Sequence, residues 1–324
     1  MVKGAAVMST NENRLFDAGT AVLMETDSEI KYQIECDTPT GTMHNYHLFP
    51  GVDLSYTTFY ANSCFQRQRS MPHVLEIAYC RAGRYECEYK RGFLTYLGEG
   101  DFAVSVISSQ REAPLFPTGF YDGIAIIIDT EITGSIFSGG MEGIAVDWTA
   151  LIQAFCTDRC CAVRKAPPKL LGVFNELCDR ENQKNIGYLR LKLLELFFCL
   201  SNLLPQENIG ISAYFSGELI QKVKDLKGYL MGHLDAKISL RDLAEQYHLS
   251  LTTMKDCFRA VYGKPIHAFQ REYKMQTATR LLVTTRLSVS EIAGRLGYEN
   301  PNKFSTAFKD IIGASPSEYR RKNK

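Results

Sequence analysis

The stretch Ser288-Val289-Ser290-Glu291-Ile292-Ala293-Gly294-Arg295-Leu296-Gly297-Tyr298-Glu299-Asn300-Pro301-Asn302-Lys303-Phe304-Ser305-Thr306-Ala307-Phe308 decides the fold of the C-terminal third. It reads as a short helix, a tight turn and a second helix. An earlier segment carries the same pattern as Ser239-Leu240-x-x-Leu243-Ala244, then Leu249-Ser250, Met254, Phe258 and Gly263. The offset is 49 residues from Ser239 to Ser288 and 50 from Phe258 to Phe308, so the second turn holds one extra residue, at the Asn300-Pro301 step. Each copy matches the helix-turn-helix arrangement, which places one helix in a DNA major groove. A lone helical hairpin imitates that pattern easily. Two copies in register, joined by a long helical segment, do not arise so easily.

Residue types follow from the geometry. The two helices of each unit cross closely, which calls for a small residue at the crossing: Ala244 and Ala293. Four residues later the chain turns through positive φ, where glycine meets no steric cost, and Gly297 stands there in the second copy. His248 takes that place in the first copy, a departure that predicts mild strain. Met254 and Phe258, like Phe304 and Phe308, are spaced i, i+4 and share a helix face that should anchor in the core. Ser239 and Ser288 are placed as N-caps. Asn300-Pro301 opens the last recognition helix with a cap and then proline in the first turn, where its missing N–H costs nothing.

Residues from about 218 to 322 resemble the DNA-binding domain of the AraC/XylS family of transcription regulators. The resemblance is carried by Gly263-Lys264-Pro265, Lys274-Met275-x-x-Ala278, Leu281-Leu282, Ser288-Val289-x-x-Ile292-Ala293, Gly297-Tyr298-x-Asn300, Phe304, Phe308-Lys309 and Gly313-x-Ser315-Pro316-x-x-Tyr319-Arg320. Lys274 stands where the family usually has Arg, which keeps the charge but gives up a bidentate pairing. By alignment to the family, Thr252, Lys255, Asp256, Asn302 and Thr306 occupy base-reading positions, and Arg259, Lys303 and Lys309 are placed for phosphates. The implied partners are double-stranded DNA and RNA polymerase, with a small-molecule effector and a homodimer as further expectations. An activator is the expected role.

Charge supports this division of labour. The chain has a formal net charge of +1. From Glu218 to Lys324 there are 19 Lys and Arg against 11 Asp and Glu, a net of +8, which leaves residues 1–217 with 18 against 25, a net of −7. A basic C-terminal third is the electrostatic footprint of phosphate binding. The ten cysteines are irregularly spaced, as in an intracellular chain with reduced thiols. The run Gly4 to Met8 is too short for a signal-peptide core, and the most apolar helix, Leu189 to Leu204, is interrupted by Lys192 and Glu195. A cytoplasmic protein without membrane contact is expected.

The N-terminal half reads as short strands between turn signals from about Ile30 to Asp129. Val74 to Cys80 is one strand, Arg81-Ala82-Gly83 a turn, and Arg84 to Tyr89 the returning strand. Phe93 to Leu97, Phe102 to Ile107 and Gly123 to Ile128 follow, with Gly98-Glu99-Gly100-Asp101 as a turn. This pattern indicates a sandwich or barrel, and the family resemblance makes it a cupin-like jelly roll that holds an effector. The fold class is therefore α+β in two domains: a cupin-like β-barrel with helices, then an all-α domain with two helix-turn-helix motifs. The expected boundaries are a barrel over 1–165, a helical dimerisation region over 166–204, a linker over 205–216 and the DNA-binding domain over 217–324. Helical spacing of Leu170, Leu171, Phe174 and Leu177, and of Leu189, Leu193, Leu196, Phe197 and Leu200, defines the helical region after Pro167-Pro168.

Tyr79, Arg81, Arg84, Phe102, Arg111 and Phe120 are candidate effector-pocket residues, since such pockets combine apolar walls with a few charged anchors; core and rim packing is the plain alternative. His44 and His47 are separated by two residues and fall on opposite faces of a strand, and His73 stands alone before its strand, so no metal site is expected. Cys156 and Cys160 share a helix face beside Cys161 but lack two further ligands, and inert thiols are expected. No cofactor and no enzymatic activity are expected. Two alternatives stay open: a regulator controlled by a protein partner, with the barrel interior filled by bulky side chains, and a DNA-repair methyl acceptor. The latter requires a four-cysteine zinc module that Cys36, Cys64, Cys80 and Cys87 do not convincingly supply.

Overall fold

The computed structural model describes residues 16–18, 20–38, 41–65, 67–68, 71–88, 92–107, 114–137, 146–156, 162–203, 214–236 and 238–323. Contacts divide the chain into two compact units, Met1–Tyr214 and Phe215–Lys324.

The first unit is built on an antiparallel sheet. Its strands are β1 (Phe16–Ala18), β2 (Thr20–Glu25), β3 (Glu29–Ile34), β4 (Gly41–Phe49), β5 (Val52–Phe59), β6 (Arg67–Gln68), β7 (Met71–Glu88), β8 (Phe93–Gly98), β9 (Asp101–Ile107), β10 (Tyr121–Asp129) and β11 (Ala162–Lys165). The main sheet runs β11-β9-β7-β10-β5-β4-β3-β2, with β8 on the far half of β7, and β1 pairs only with β6. Among the described strands the order ends at β11 and β2, so the expected closed, cupin-like barrel is instead an open sheet. The residues of β2 are exposed on both faces, and no further strand among the described residues continues past it.

One expected hairpin is a single long strand. Arg81-Ala82-Gly83 does not reverse the chain: β7 continues through it to Glu88, and His73 lies within the strand rather than before it. The pairing of β7 with β10 shifts register between Asp122 and Gly123, and Gly83 has φ 82°. The three residues read as a turn because they carry turn chemistry; what that chemistry makes here is a bulge that bends a strand. The N-terminal half of β7 thus pairs with β9 and β10, and the C-terminal half with β8.

Alternation gives the sheet two buried faces. One packs Leu54, Leu75, Ile77, Tyr79, Phe102, Val104, Ile124 and Ile126 against helices α2 (Trp148–Phe155), α3 (Pro168–Cys178) and α4 (Ile186–Leu203), which follow α1 (Thr130–Phe137). Pro167 and Pro168 start α3 as expected, Pro167 as the N-cap. The other face gathers Ile30, Tyr32, Ile34, Met43, Phe59, Cys64, Phe116 and Tyr121. At one end of it Phe116 stacks on Phe59 and Tyr121, with ring centroids 4.6 and 5.8 Å apart.

The second unit is helical: α5 (Gly217–Gly232), α6 (Leu240–Gln246), α7 (Leu251–Tyr262), α8 (Ile266–Thr284), α9 (Val289–Arg295), α10 (Pro301–Ile312) and α11 (Pro316–Asn323). Met254, Cys257 and Phe258 are buried on α7 and, 50 residues on, Phe304, Ala307 and Phe308 on α10; Val261 and Tyr262, also buried on α7, correspond to the partly buried Ile311 and Ile312. Contacts of α5 with α7 build the first core, and contacts of α11 with α8 and α10 build the second. The long helix α8 serves both, with Ile266 and Phe269 at one end and Met275, Ala278 and Leu282 toward the other.

Candidate nucleic-acid interface

The caps that start each helix of the repeat are in place. Ser239 Oγ accepts from Arg241 N at 3.2 Å, and Ser250 Oγ accepts from Thr253 N at 3.0 Å. Ser288 and Glu291 form a reciprocal capping box: Ser288 Oγ accepts from Glu291 N at 3.2 Å while Ser288 N donates to Glu291 Oε2 at 2.7 Å. Those bonds from the Ser288 hydroxyl and backbone hold the Glu291 carboxyl below its ordinary pKa. Asn300 Oδ1 accepts from Asn302 N at 2.8 Å, and Pro301 occupies the first helical turn.

The turns behave as their residues require. Gly297 has φ 76°, and His248 has φ 53°, the one non-glycine residue with positive φ among those described. Ala244 and Ala293 are both buried where the helices of each pair cross. Lys274 is half-buried, its ammonium 5.6 Å from the centre of the Tyr298 ring. Burial lowers its pKa and nearby Asp235 opposes that shift.

With one face of each recognition helix packed inward, the other is left for a partner. Thr252, Lys255, Asp256 and Arg259 on α7 are all exposed, and so are Asn302, Lys303, Thr306 and Lys309 on α10. Every base-reading and phosphate position expected from the sequence is therefore on the outward face of its helix. Ser305, beside them on α10, is half-buried, and its hydroxyl donates to Pro301 O at 2.9 Å. Thr306 Oγ1 likewise donates to Asn302 O at 3.0 Å, so its hydroxyl hydrogen is engaged while its lone pairs and methyl face outward. That combination suits acceptance from a base amine or contact with a thymine methyl. The Asn302 side chain offers both a donor and an acceptor, the pattern that matches adenine N7 and N6.

Two braces that sequence reasoning did not single out hold this surface. Arg320 donates from Nε to Leu282 O at 3.1 Å and from a terminal nitrogen to Leu287 O at 2.5 Å, tying α11 to the end of α8 and the loop after it. Arg271 on α8 pairs with Asp310 on α10 at 2.9 Å. The signal for Arg320 was its place in the family motif; nothing in the sequence marks Arg271 and Asp310, which are 39 residues apart.

Of the candidate effector residues, Tyr79 and Phe102 stand directly opposite each other in the sheet. Tyr79 and Phe102 are buried on the helix-facing side against Phe174, whose ring lies 4.4 Å from that of Tyr79. Arg81 makes a two-pronged pair with Asp122, at 2.8 and 2.6 Å. Burial depresses the Arg84 guanidinium pKa, with Asp101 opposing. The Phe120 ring is tilted against that of Tyr60, with centroids 4.8 Å apart, and Arg111 lies outside the described residues. His44 and His47 sit on opposite faces of β4, paired with Glu29 and Asp53. Among the described residues no group of three or more His, Cys, Asp and Glu is placed to hold a metal ion, and no helix is long and apolar enough to cross a membrane. Cys156 is buried beside Val104; Cys160 and Cys161 lie outside the described residues.

Comparison with known proteins places residues 243–322 in a helix-turn-helix domain family. The arabinose operon regulatory protein of Salmonella typhimurium is 27% identical over 148 residues, 45% of this chain and 53% of that protein. The uncharacterised HTH-type transcriptional regulator YdiP of Escherichia coli is 36% identical over 104 residues, 32% of this chain and 34% of that one. The HTH-type transcriptional activator AarP of Providencia stuartii is 29% identical over 98 residues, 30% of this chain and 73% of that one. The chain spans about half or less of the length of the first two of these relatives. Among solved structures, the C-terminal domain of AraT, a response regulator from Geobacillus stearothermophilus, is 31% identical over 31% of this chain and 84% of that one, with a TM-score of 0.30.

Proposed function

Since this chain belongs to the AraC/XylS family through its C-terminal third, we propose that the whole protein is a sequence-specific DNA-binding transcription regulator, an activator without enzymatic activity, acting in the cytoplasm. The observation that carries this reading is the matched pair of outward faces on α7 and α10, built on three buried positions that correspond 50 residues apart. On this reading α8 holds the two recognition helices for successive major grooves, one DNA turn or about 34 Å apart. Thr252, Lys255, Asp256, Asn302 and Thr306 read bases, and Arg259, Lys303 and Lys309 take phosphates. Asp256 fits acceptance from a cytosine amine.

Selection of the full chain against randomised duplex DNA tests this directly. A bipartite site with half-sites one turn apart supports it; salt-sensitive binding with no enriched sequence overturns it. Within the recovered site, Asn302→Ala is expected to cost about 1–3 kcal/mol and to relax preference at one base pair. Lys309→Ala is expected to weaken all sequences alike and to lower the salt slope by about 1. Equal losses on selected and random DNA for Asn302→Ala would remove its base-reading role.

For the first unit we propose regulation by a small polar effector, with dimerisation through residues 166–204 and contact with RNA polymerase by the DNA-bound protein. Support for an effector comes from the sheet face away from the helices. There Asn45, Ser55, Ala125, Ala78 and Ala103 stand directly opposite one another on five neighbouring strands, a row of small side chains. Asn45 is 2% exposed, yet its Oδ1 has no hydrogen-bond partner; a buried acceptor of that kind is costly unless something donates to it. The aromatic stack of Phe59, Phe116 and Tyr121 fills one end of the same face, which is the observation that favours a protein partner instead. Leu191 and Phe198, 66% and 48% exposed and seven residues apart on α4, support the dimer. Leu191→Lys with Phe198→Lys should convert a dimer to a monomer in analytical ultracentrifugation, and an unchanged mass would sink that assignment.

A further inference from the structure

Two thiols of the first unit face each other in a geometry that the DNA-binding reading does not use. Cys36 follows β3, and Cys64 lies in the segment after β5; they form an isolated antiparallel bridge. The flanking bonds run from Phe65 N to Glu35 O at 2.8 Å and from Asp37 N to Ser63 O at 3.1 Å. With the ladder bonds on the flanking residues, the two cysteines take the place of a non-hydrogen-bonded pair. In such a pair the Cα atoms lie about 4.5 Å apart with both side chains on one face. That spacing lies within the roughly 4.4–6.8 Å range a disulfide spans.

The two segments are held in this register from both sides. The Asp37 carboxylate accepts from Asn62 N at 3.0 Å, Asn62 Nδ2 at 3.1 Å and Ser63 N at 3.4 Å. The Thr38 hydroxyl donates to Tyr60 O. Both sulfurs belong to the cluster of Phe59, Phe116 and Tyr121, and both stand as thiols. They differ in access: Cys64 is fully buried, whereas Cys36 is part-exposed and lines an open groove of about 740 Å³ with Gln33, Asp37 and Thr38.

We propose that Cys36 and Cys64 are a reversible oxidation site, which exchanges with a small organic disulfide to close a Cys36–Cys64 bond. The Cys36 thiolate attacks one sulfur of RS–SR from the groove; a Cys36–S–S–R bond forms and RS⁻ leaves. Cys64 loses its proton and attacks Cys36 Sγ, the second RS⁻ leaves, and the protons end on the two RSH released. Two electrons pass from the protein sulfurs to the reagent, and a dithiol reverses the sequence. The new bond closes the loop that contains β4 and β5, the strands carrying Asn45 and Ser55.

The groups around the attacking sulfur set its pace. Burial, then Cys64 on the facing segment, then Asp37 and Glu35 on its own, push the Cys36 thiol up to about 12. Thiolate is scarce at neutral pH, and the exchange rate rises about tenfold per pH unit.

The test incubates the reduced full chain with glutathione disulfide at pH 7 and pH 9, blocks remaining thiols by alkylation and maps peptides without reduction. The expected result is one new Cys36–Cys64 linkage, formed roughly 100-fold faster at pH 9 and reversed by dithiothreitol. In Cys64→Ser the reaction should stop at a glutathione adduct on Cys36. Should that buried substitution prevent folding, Cys36→Ser must leave Cys64 unlinked. Glutathione adducts on other cysteines while Cys36 and Cys64 stay alkylatable at pH 9, or a linkage of Cys36 to any other cysteine, would overturn the proposal.

Discussion

Phe308→Ala is expected to destabilise the second helix-turn-helix unit by about 3–5 kcal/mol, the range for truncating a fully buried phenylalanine. The side chain is 0% exposed among Met275, Ala278, Leu282, Ile292, Ala293, Leu296 and Phe304, and its ring meets that of Tyr319 edge-on at 5.7 Å. Removing it opens a cavity at the point where α8, α9, α10 and α11 meet. A domain of this size has about 5–15 kcal/mol in hand, so the loss should lower the melting midpoint of the helical unit by more than about 10 °C. The damage should also be local. The first copy has its own buried residues, Leu243, Met254, Phe258 and Val261, and its helix α7 packs against α5. Hydrogen exchange should therefore show residues 289–312 losing protection before residues 240–262. A loss below about 1 kcal/mol, or equal loss of protection in both copies, would mean that the two units do not have separate cores. Phe308→Leu should restore most of the stability, since it refills most of the volume.

The helical unit was legible in the sequence because each of its constraints is local. A serine before an apolar period, a proline after asparagine and a glycine at a turn each specify backbone within four residues, and α10 starts at Pro301 after its Asn300 cap, where those signals put it. The sheet was less legible because its decisive constraints are not local. Arg81-Ala82-Gly83 carries the same chemistry whether it reverses a chain or bends one, and the choice is made by partners more than ten residues away: β8 for one half of β7, β10 for the other. The surroundings of the candidate effector residues were hidden from the sequence for a related reason. Tyr79 and Arg81 alternate onto the helix-facing side, where α3 covers the first and Asp122 engages the second. Asn45 and Ser55 carried no signal at all, since only cross-strand register reveals that they face one another. The outward faces of α7 and α10 were readable because helical period alone assigns them once the buried positions are known.

Gly297→Val should cost about 3 kcal/mol, and the comparison with His248 shows why. Both residues occupy the turn of a helix-turn-helix and both have positive φ, 76° and 53°. In the left-handed region an L-residue costs roughly 1–2 kcal/mol, and more when β-branched. At His248 that is the whole penalty, for the side chain is exposed. At Gly297 a second term is added. A Cβ there would lie 2.8 Å from Asp235 O and 3.0 Å from Leu234 O, both backbone atoms of the segment after α5. Backbone cannot rotate aside as a side chain can, so either that segment or the turn must shift, at a cost of roughly 1–3 kcal/mol. His248→Gly, by contrast, should change stability by less than about 1 kcal/mol, because relief of the left-handed strain offsets the added freedom of the unfolded chain. Paired denaturant titrations of the two variants measure the difference. Similar costs at the two turns would show that conformation alone decides the residue there. A large cost confined to Gly297→Val, together with weakened binding at the half-site read by Asn302 and Thr306, would show that the second turn is fixed by its contact with residues 234 and 235, and that this contact aims α10.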